Sequence, residues 1–215
     1  MNIIYAIPGL GTTPALFKNI RIKNYEIRVL EWPETAGCDS IADYCKKFIP
    51  VIDQTKPFSL MGVSFGGMLC SELSQILKPE RLILISSCKR PSELPSQFNF
   101  IKFTRLYYLF NDWILRQAAK FLYRPLGFKN EDRKEFFNMI DSMKPGYFPP
   151  CIRFMLQWKS DKEPANTLHI HGTKDRVLPH QYIRNFIPVK DGNHAMVLYR
   201  ADEINAILEK ELNGL

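Results

Sequence analysis

The chain has 215 residues, 46% of them hydrophobic and 24% charged, with a formal net charge of +7. That composition is ordinary for a soluble globular protein, and the length suits one sizeable core better than two full domains. No apolar run approaches the ~18 residues of a membrane span, and the start, Met1 to Gly9, has neither the basic region nor the apolar length of a signal peptide. A cytoplasmic location without stable membrane insertion is the expectation. Five cysteines, Cys38, Cys45, Cys70, Cys88 and Cys151, are odd in number, scattered and free of C-x-x-C spacing. They suit reduced, buried thiols better than disulfides or a zinc site.

In chain order, Asn2–Ile7 reads as a first strand, Pro14–Ile20 as a short helix and Tyr25–Leu30 as a second strand. Ile41, Tyr44/Cys45, Phe48 and Ile52 share one helical face behind the caps Asp39 and Ser40. Pro50, lacking an N–H for the ladder, should kink or shorten that helix. Phe58-Ser59-Leu60-Met61 is a short buried strand that runs into Gly62-Val63-Ser64-Phe65-Gly66-Gly67. Beyond it, Phe65, Met68/Leu69, Glu72/Leu73 and Ile76/Leu77 recur at helical spacing. Arg81–Ile85 is a further strand, ending at Ser86 and Ser87, which read as polar strand-end residues. Near-continuous apolar strands alternating with helices predict an α/β fold with a mostly parallel sheet flanked by helices.

The alternation breaks between Lys89 and Lys159, a stretch with helix-like spacing and no convincing strand. Strand character returns at Asn166–His171 and near Phe186–Val189. A final amphipathic helix carries Ile204, Ile207/Leu208 and Leu212. The expected organisation is a core domain of residues 1–88 and 160–215, with a helical cap insertion, 89–159. The insertion leaves the sheet at the edge where α/β sheets bind ligands, placed to roof Ser64. Its aromatic run comprises Phe98, Phe100, Ile101, Phe103, Leu106, Tyr107, Tyr108, Leu109, Phe110, Trp113 and Ile114. Most of these should form the insertion's own core and its seam with the sheet, and two or three should face substrate. Ten Lys/Arg against four Asp/Glu lie between Lys89 and Lys134. Such charge is more often a solvated helix face, though it could attract an anionic substrate, a coenzyme A thioester, an acidic carrier protein or an anionic membrane. No nucleic-acid-binding module accompanies it.

Gly62-x-Ser64-x-Gly66 between a strand and a helix has the form of a nucleophile elbow. The turn exposes the hydroxyl at the tip of the sheet and aims the following N–H and the helix dipole at developing negative charge. A serine needs a base to take its proton and a carboxylate to orient that base. Asp175 lies in the loop after the strand that ends at His171, and His194 lies in the loop after the next strand. Among rivals, His171 reads as structural, His169 as packed along the strand and His180 as solvent-facing. Asp161 and Asp191 sit where surface carboxylates are expected. No His/Cys/Asp cluster has metal spacing and no phosphate loop or dinucleotide fingerprint is present, so neither metal nor cofactor is expected.

Over nearly its whole length the chain resembles a small cap-bearing, serine esterase-like member of the α/β-hydrolase fold superfamily. The elbow Gly62–Gly66, the segment His171-Gly-x-x-Asp175-x-x-x-Pro179 and Gly192-Asn193-His194 match three family signatures in the right order. Pro8-Gly9-Leu10-Gly11 stands where the family usually has a His-Gly pair, and many members carry extra strands before the one that is first here, beside which this chain looks like a trimmed version. The resemblance implies an oxyanion hole formed by the N–H groups of Leu10 and Phe65. It also implies cleavage of a small-molecule carboxylic ester through an acyl-enzyme, with Ser64, His194 and Asp175 as nucleophile, base and orienting acid. An acyl thioesterase, acting on a coenzyme A or carrier-protein thioester, would use the same residues. A C–C hydrolase or lyase, or a non-catalytic ligand-binding protein on this fold, is a weaker reading.

Overall fold

Six segments form one sheet in a computed structural model that describes residues 2–160 and 162–214. The strands are β1 (Asn2–Ile7), β2 (Tyr25–Val29), β3 (Phe58–Val63), β4 (Leu82–Ile85), β5 (Thr167–Gly172) and β6 (Ile187–Val189). Their order is β2-β1-β3-β4-β5-β6, and every neighbouring pair is parallel. The helices are α1 (Ile41–Lys46), α2 (Phe65–Leu77), α3 (Ser96–Thr104), α4 (Asp112–Phe121), α5 (Arg133–Ser142), α6 (Phe148–Leu156), α7 (Met196–Tyr199) and α8 (Ala201–Asn213).

Alternation along the strands divides the interior in two. Ile3, Tyr5 and Ile7 of β1 join the core that holds Tyr44 of α1 and Met68, Leu69 and Leu73 of α2. Ile4 and Ala6 face the other way, onto Leu16, Phe17, Val197, Ile204 and Leu208. Successive side chains of a strand point to opposite faces, so an unbroken apolar run is what a sheet covered on both sides requires. Burying one such side chain stabilises by about 1.5–3 kcal/mol, which outweighs the tenths of a kcal/mol separating most residues in intrinsic propensity.

Two local expectations meet different outcomes. Over Pro14–Ile20 the chain forms one 3-10 turn, Pro14–Phe17, in place of the expected helix. It continues through i→i+3 bonds from Lys18 N to Ala15 O and from Ile20 N to Phe17 O. Leu16, Phe17, Ile20 and Ile22 all enter the second core. Pro50 acts as its missing N–H demands: α1 stops at Lys46, and the proline sits in a separate 3-10 turn, Ile49–Val51. Ser40 is the N-cap of α1, accepting from Asp43 N at 3.1 Å.

Between β4 and β5 all described regular elements are helical. The aromatic run, however, does not build their core. Tyr107 is buried and Phe98 half-buried, whereas Phe100, Ile101, Phe103, Leu106, Tyr108, Leu109, Phe110, Trp113 and Ile114 are exposed. Phe128, Phe136, Ile140, Tyr147, Phe148 and Phe154 supply the packing instead. For the part of the run on α4 the reason is the covered side of that helix, which carries Arg116. Its guanidinium donates to the carbonyl oxygens of Ile140, Met143 and Lys144 and pairs with Asp112 at 2.6 Å. With that side turned inward, Ile114 falls on the outer one, while Trp113, one turn from Arg116, is exposed at the flank. All five cysteines are free and buried.

Candidate active site

At the end of β3 the backbone turns directly into α2 through Ser64, which is held at φ 53°, ψ −123°. Such a conformation costs a non-glycine residue about 1–3 kcal/mol and persists only where its surroundings fix it. Here Ser64 N donates to Ile85 O of β4 at 3.1 Å, and Ser64 O accepts from Gly67 N and Met68 N. The Ser87 hydroxyl donates to the same oxygen at 2.7 Å. Glycine is required at both flanks of the turn. A Cβ on Gly66 would strike the backbone carbonyls of Ile7 and Pro8, and one on Gly62 would meet the backbone of Gly66. Ser87, read from sequence as a polar strand-end residue, is thus a brace of the elbow. Its hydroxyl occupies the space that a Cβ on Gly67 would need.

Asp175 and His194 come from the loops after β5 and β6. Gly172 and Gly192 bring those loops together, because a Cβ on Gly172 would collide with the Gly192 backbone. Asp175 Oδ1 accepts from Val177 N at 2.8 Å and Leu178 N at 2.9 Å, which fixes the carboxylate plane. Its Oδ2 accepts from His194 Nδ1 at 2.7 Å. With the proton on Nδ1, Nε2 is left to accept from Ser64 Oγ at 2.9 Å. Asp175 and His194 are buried and Ser64 is half-buried at the cavity wall. Burial alone would raise the Asp175 carboxyl. The charge and hydrogen bond of His194, the nearby His171 and the Leu178 N–H outweigh it and hold the group below the usual carboxylate range.

The other histidines and acids are placed elsewhere. His171 Nε2 donates to Leu178 O at 2.8 Å and lies 3.6 Å from Asp175 Oδ2, beside the carboxylate. His169 Nε2 donates to Ser87 O at 3.0 Å, and His180 is exposed. Asp191 pairs with Lys174 at the surface. Asp161 lies outside the described residues.

Burial, reinforced by His171 and Lys89, holds His169 down to about 3. The unfolded chain takes up that proton below ~6.5, the folded chain only near 3, so stability falls as pH falls between those values. Between pH 7 and pH 4.5 this one group is expected to remove about 2 to 3 kcal/mol of stability. His169→Gln, whose amide can still donate to Ser87 O, should flatten that dependence in urea unfolding at the two pH values. An unchanged slope would show that another group carries the acid sensitivity.

Leu10 is presented by a tight turn. Thr12 N and Thr12 Oγ1 both donate to Gly9 O, at 3.0 and 2.7 Å, and Gly11 takes φ 71°. A positive φ at the third residue of a β-turn favours glycine. Trp32 Nε1 donates to Thr12 O at 2.8 Å and ties the turn to the segment after β2. Phe65 is the first residue of α2, so its N–H has no intrahelical acceptor. Leu10, Phe65, Ser64 and His194 all line one cavity of about 280 Å³.

That volume is near the lower end of the ~300–1,000 Å³ typical of small-molecule sites. Val63, Met68 and Leu178 form part of its wall on the sheet side, and Phe98, Leu115, Ala118, Ala119, Leu122 and Leu126 part of its roof. Of the aromatic run, only Phe98 reaches it. The roof residues of α4 and its C-terminal extension were not apparent from sequence. A helix's lining face is chosen by what packs behind it, and alternation alone does not reveal that choice. Two basic residues also depart from the expectation of a solvated face. Arg116 is bound as above, and Lys120 pairs with Asp141 at 2.6 Å. Among the described residues, no group of three or more His, Cys, Asp or Glu could hold a metal ion. No described helix is long and apolar enough to cross a membrane.

The sequence matches the model of an alpha/beta hydrolase family over residues 3–207. In fold the chain is similar to a thermophilic esterase from Thermogutta terrifontis, with a TM-score of 0.69 and 15% identity over 100% of this chain and 90% of that one. It is also similar to RedJ, a thioesterase from the prodiginine biosynthetic pathway in Streptomyces coelicolor (TM-score 0.68, 17% identity, 98% and 90% covered). A Bacillus megaterium epoxide hydrolase gives a TM-score of 0.69 at 11% identity, with 99% and 94% covered. Identities this low show a common fold and nothing finer. Among curated proteins, none matches the sequence.

Proposed function

The chain belongs to the alpha/beta hydrolase family, and on that premise we propose that it is a serine hydrolase cleaving a carboxylic ester through an acyl-enzyme intermediate. One observation carries the reading: the hydrogen-bond chain Ser64 Oγ, His194, Asp175 opens onto an apolar cavity. Ser64 Oγ attacks the ester carbonyl while His194 Nε2 takes its proton, and the Asp175 carboxylate compensates the imidazolium charge. The Leu10 and Phe65 N–H groups hold the oxyanion. The proton returns from Nε2 to the leaving alcohol, and water activated by the same nitrogen then releases the acid. Residues 89–159 act as a cap that shapes the acyl end of the cavity. A thioester could follow the same course. The ester is favoured because Arg116 and Lys120, two of the cations available to draw an acidic carrier, are engaged internally.

A fluorophosphonate probe should label Ser64 in the native protein and leave Ser64→Ala unlabelled. Labelling at Ser86, or none on an active protein, would overturn the assignment. The acyl end can be tested separately. Ala119 lines the roof, so Ala119→Phe should shorten the cavity and lower kcat/KM for octanoyl esters about tenfold or more while sparing acetyl esters. Equal losses for both, in a variant with unchanged Tm, would place the acyl chain elsewhere.

A further inference from the structure

Helix α4 covers two cations beside Leu115 and Ala119 and leaves large apolar side chains outside. Arg116 and Lys120 turn toward the body of the protein. Ile114, Ala118, Phe121 and Leu122, turned away from that side, are exposed, and so is Trp113 at its flank, one turn from Arg116. The elements before it continue this surface. Phe100, Phe103, Leu109, Trp113 and Phe121 are each between 67% and 85% exposed. Single exposed apolar residues are ordinary, but this many large ones within a 22-residue stretch mark an interaction surface. The surface is continuous with the candidate active site, because Ala118 and Leu122 are exposed and also line the cavity.

Charge selects the occupant. Between Leu94 and Asn130 the chain has six basic residues and one acid, Asp112; Arg116 and Lys120 are turned inward and Lys129 pairs with Glu131, which leaves Lys102, Arg105 and Arg124 to this face. Asp112 is already paired with Arg116. Arg105 and Arg124 are exposed beside the apolar side chains, so the face is apolar and cationic together. A second copy would bring two like-charged faces into contact. An acidic protein would answer the charge but leave the large apolar side chains unaccounted for. An anionic lipid surface answers both, with aromatic and aliphatic groups at the headgroup–acyl boundary and cations among the headgroups.

We propose that the outer face of α3 and α4 docks on anionic lipid surfaces and that the cavity mouth beneath it receives an acyl chain from them. The docking stands on this surface alone. Its use in lipid ester hydrolysis rests on the reading of Ser64, His194 and Asp175 given above.

Ser64→Ala protein, which cannot consume the lipid, is mixed with vesicles of phosphatidylglycerol and phosphatidylcholine or of phosphatidylcholine alone. Co-sedimentation is expected with the anionic vesicles, at least tenfold stronger than with the neutral ones and weakened by salt. Trp113 emission should shift to the blue on binding. It reports this face, because Trp158 is buried and Trp32 half-buried. The triple variant Phe103→Ser, Trp113→Ser, Phe121→Ser alters no residue that lines the cavity at Ser64. In the Ser64→Ala background it should lose vesicle binding by tenfold or more. With Ser64 intact it should keep wild-type kcat/KM on a soluble short-chain ester.

Vesicle binding that survives the triple variant would overturn the proposal, as would no binding at any anionic content. A wild-type dimer that the variant splits, without vesicle binding, would assign the face to self-association. Binding by a protein that hydrolyses no ester would leave the docking intact and remove the hydrolase reading. The converse result would do the opposite.

Discussion

Replacing Ser64 by alanine is expected to lower kcat by about three to six orders of magnitude, because members of a nucleophile–base–acid unit act together and the residual rate comes only from binding and oxyanion contacts. Fold stability should change little, within about 1 kcal/mol. The hydroxyl provides no cap for α2, and the substitution removes only its hydrogen bond to His194 Nε2. The elbow is held by the backbone bonds of Ser64 and by Ser87, all retained in the alanine variant. Steady-state kinetics on the preferred ester, with a thermal melt as control, tests both halves. Activity within tenfold of wild type in a folded Ser64→Ala protein would show that the serine is not the nucleophile. Ser87→Ala should behave differently, with a partial loss of kcat accompanied by a lower Tm, since it loosens the turn and leaves the reacting atom in place.

Asp175→Asn is the second large effect, an expected loss of about 10⁴ in kcat near neutral pH, the magnitude known for the same change in a serine protease triad. The carboxylate can only accept, so it holds the proton of His194 on Nδ1 and leaves Nε2 free for Ser64 Oγ. An amide NH₂ at that place donates to Nδ1 and drives the imidazole proton onto Nε2, where it can no longer accept from the serine. The Asp175 carboxyl is held below the usual carboxylate range, so it stays ionised well into acid. Protonation of Asp175 therefore contributes nothing to the pH dependence of wild-type kcat/KM near neutral pH. His171→Ala is the control for the rival histidine. His171 contacts Leu178 O and not Ser64, so a folded His171→Ala protein should keep most of its turnover. Complete inactivity there would move the base from His194 to His171.

The sheet, the elbow and the order Ser64, Asp175, His194 were legible in the sequence because each is a local demand on the chain. A strand buried on both faces must be apolar throughout. A strand that turns at once into a helix must have glycine where Gly62 and Gly66 meet other backbone. A loop that ends a strand at the sheet edge is a natural seat for a carboxylate or a histidine. The tertiary structure alone decided how those loops meet. The close approach of Gly172 to Gly192 brings Asp175 to His194, and the Ser87 hydroxyl braces Ser64 from the neighbouring strand. Tertiary packing also reversed the reading of the aromatic run. Its helical spacing was apparent, but which side of α4 turns inward depends on the carbonyls of Ile140, Met143 and Lys144, 24 to 28 residues further along the chain. Periodicity shows that a helix has two unlike faces. Only the groups packed against it determine which face is covered, and here the carbonyls that accept from Arg116 hold one side inward and leave Ile114 and Phe121 facing outward.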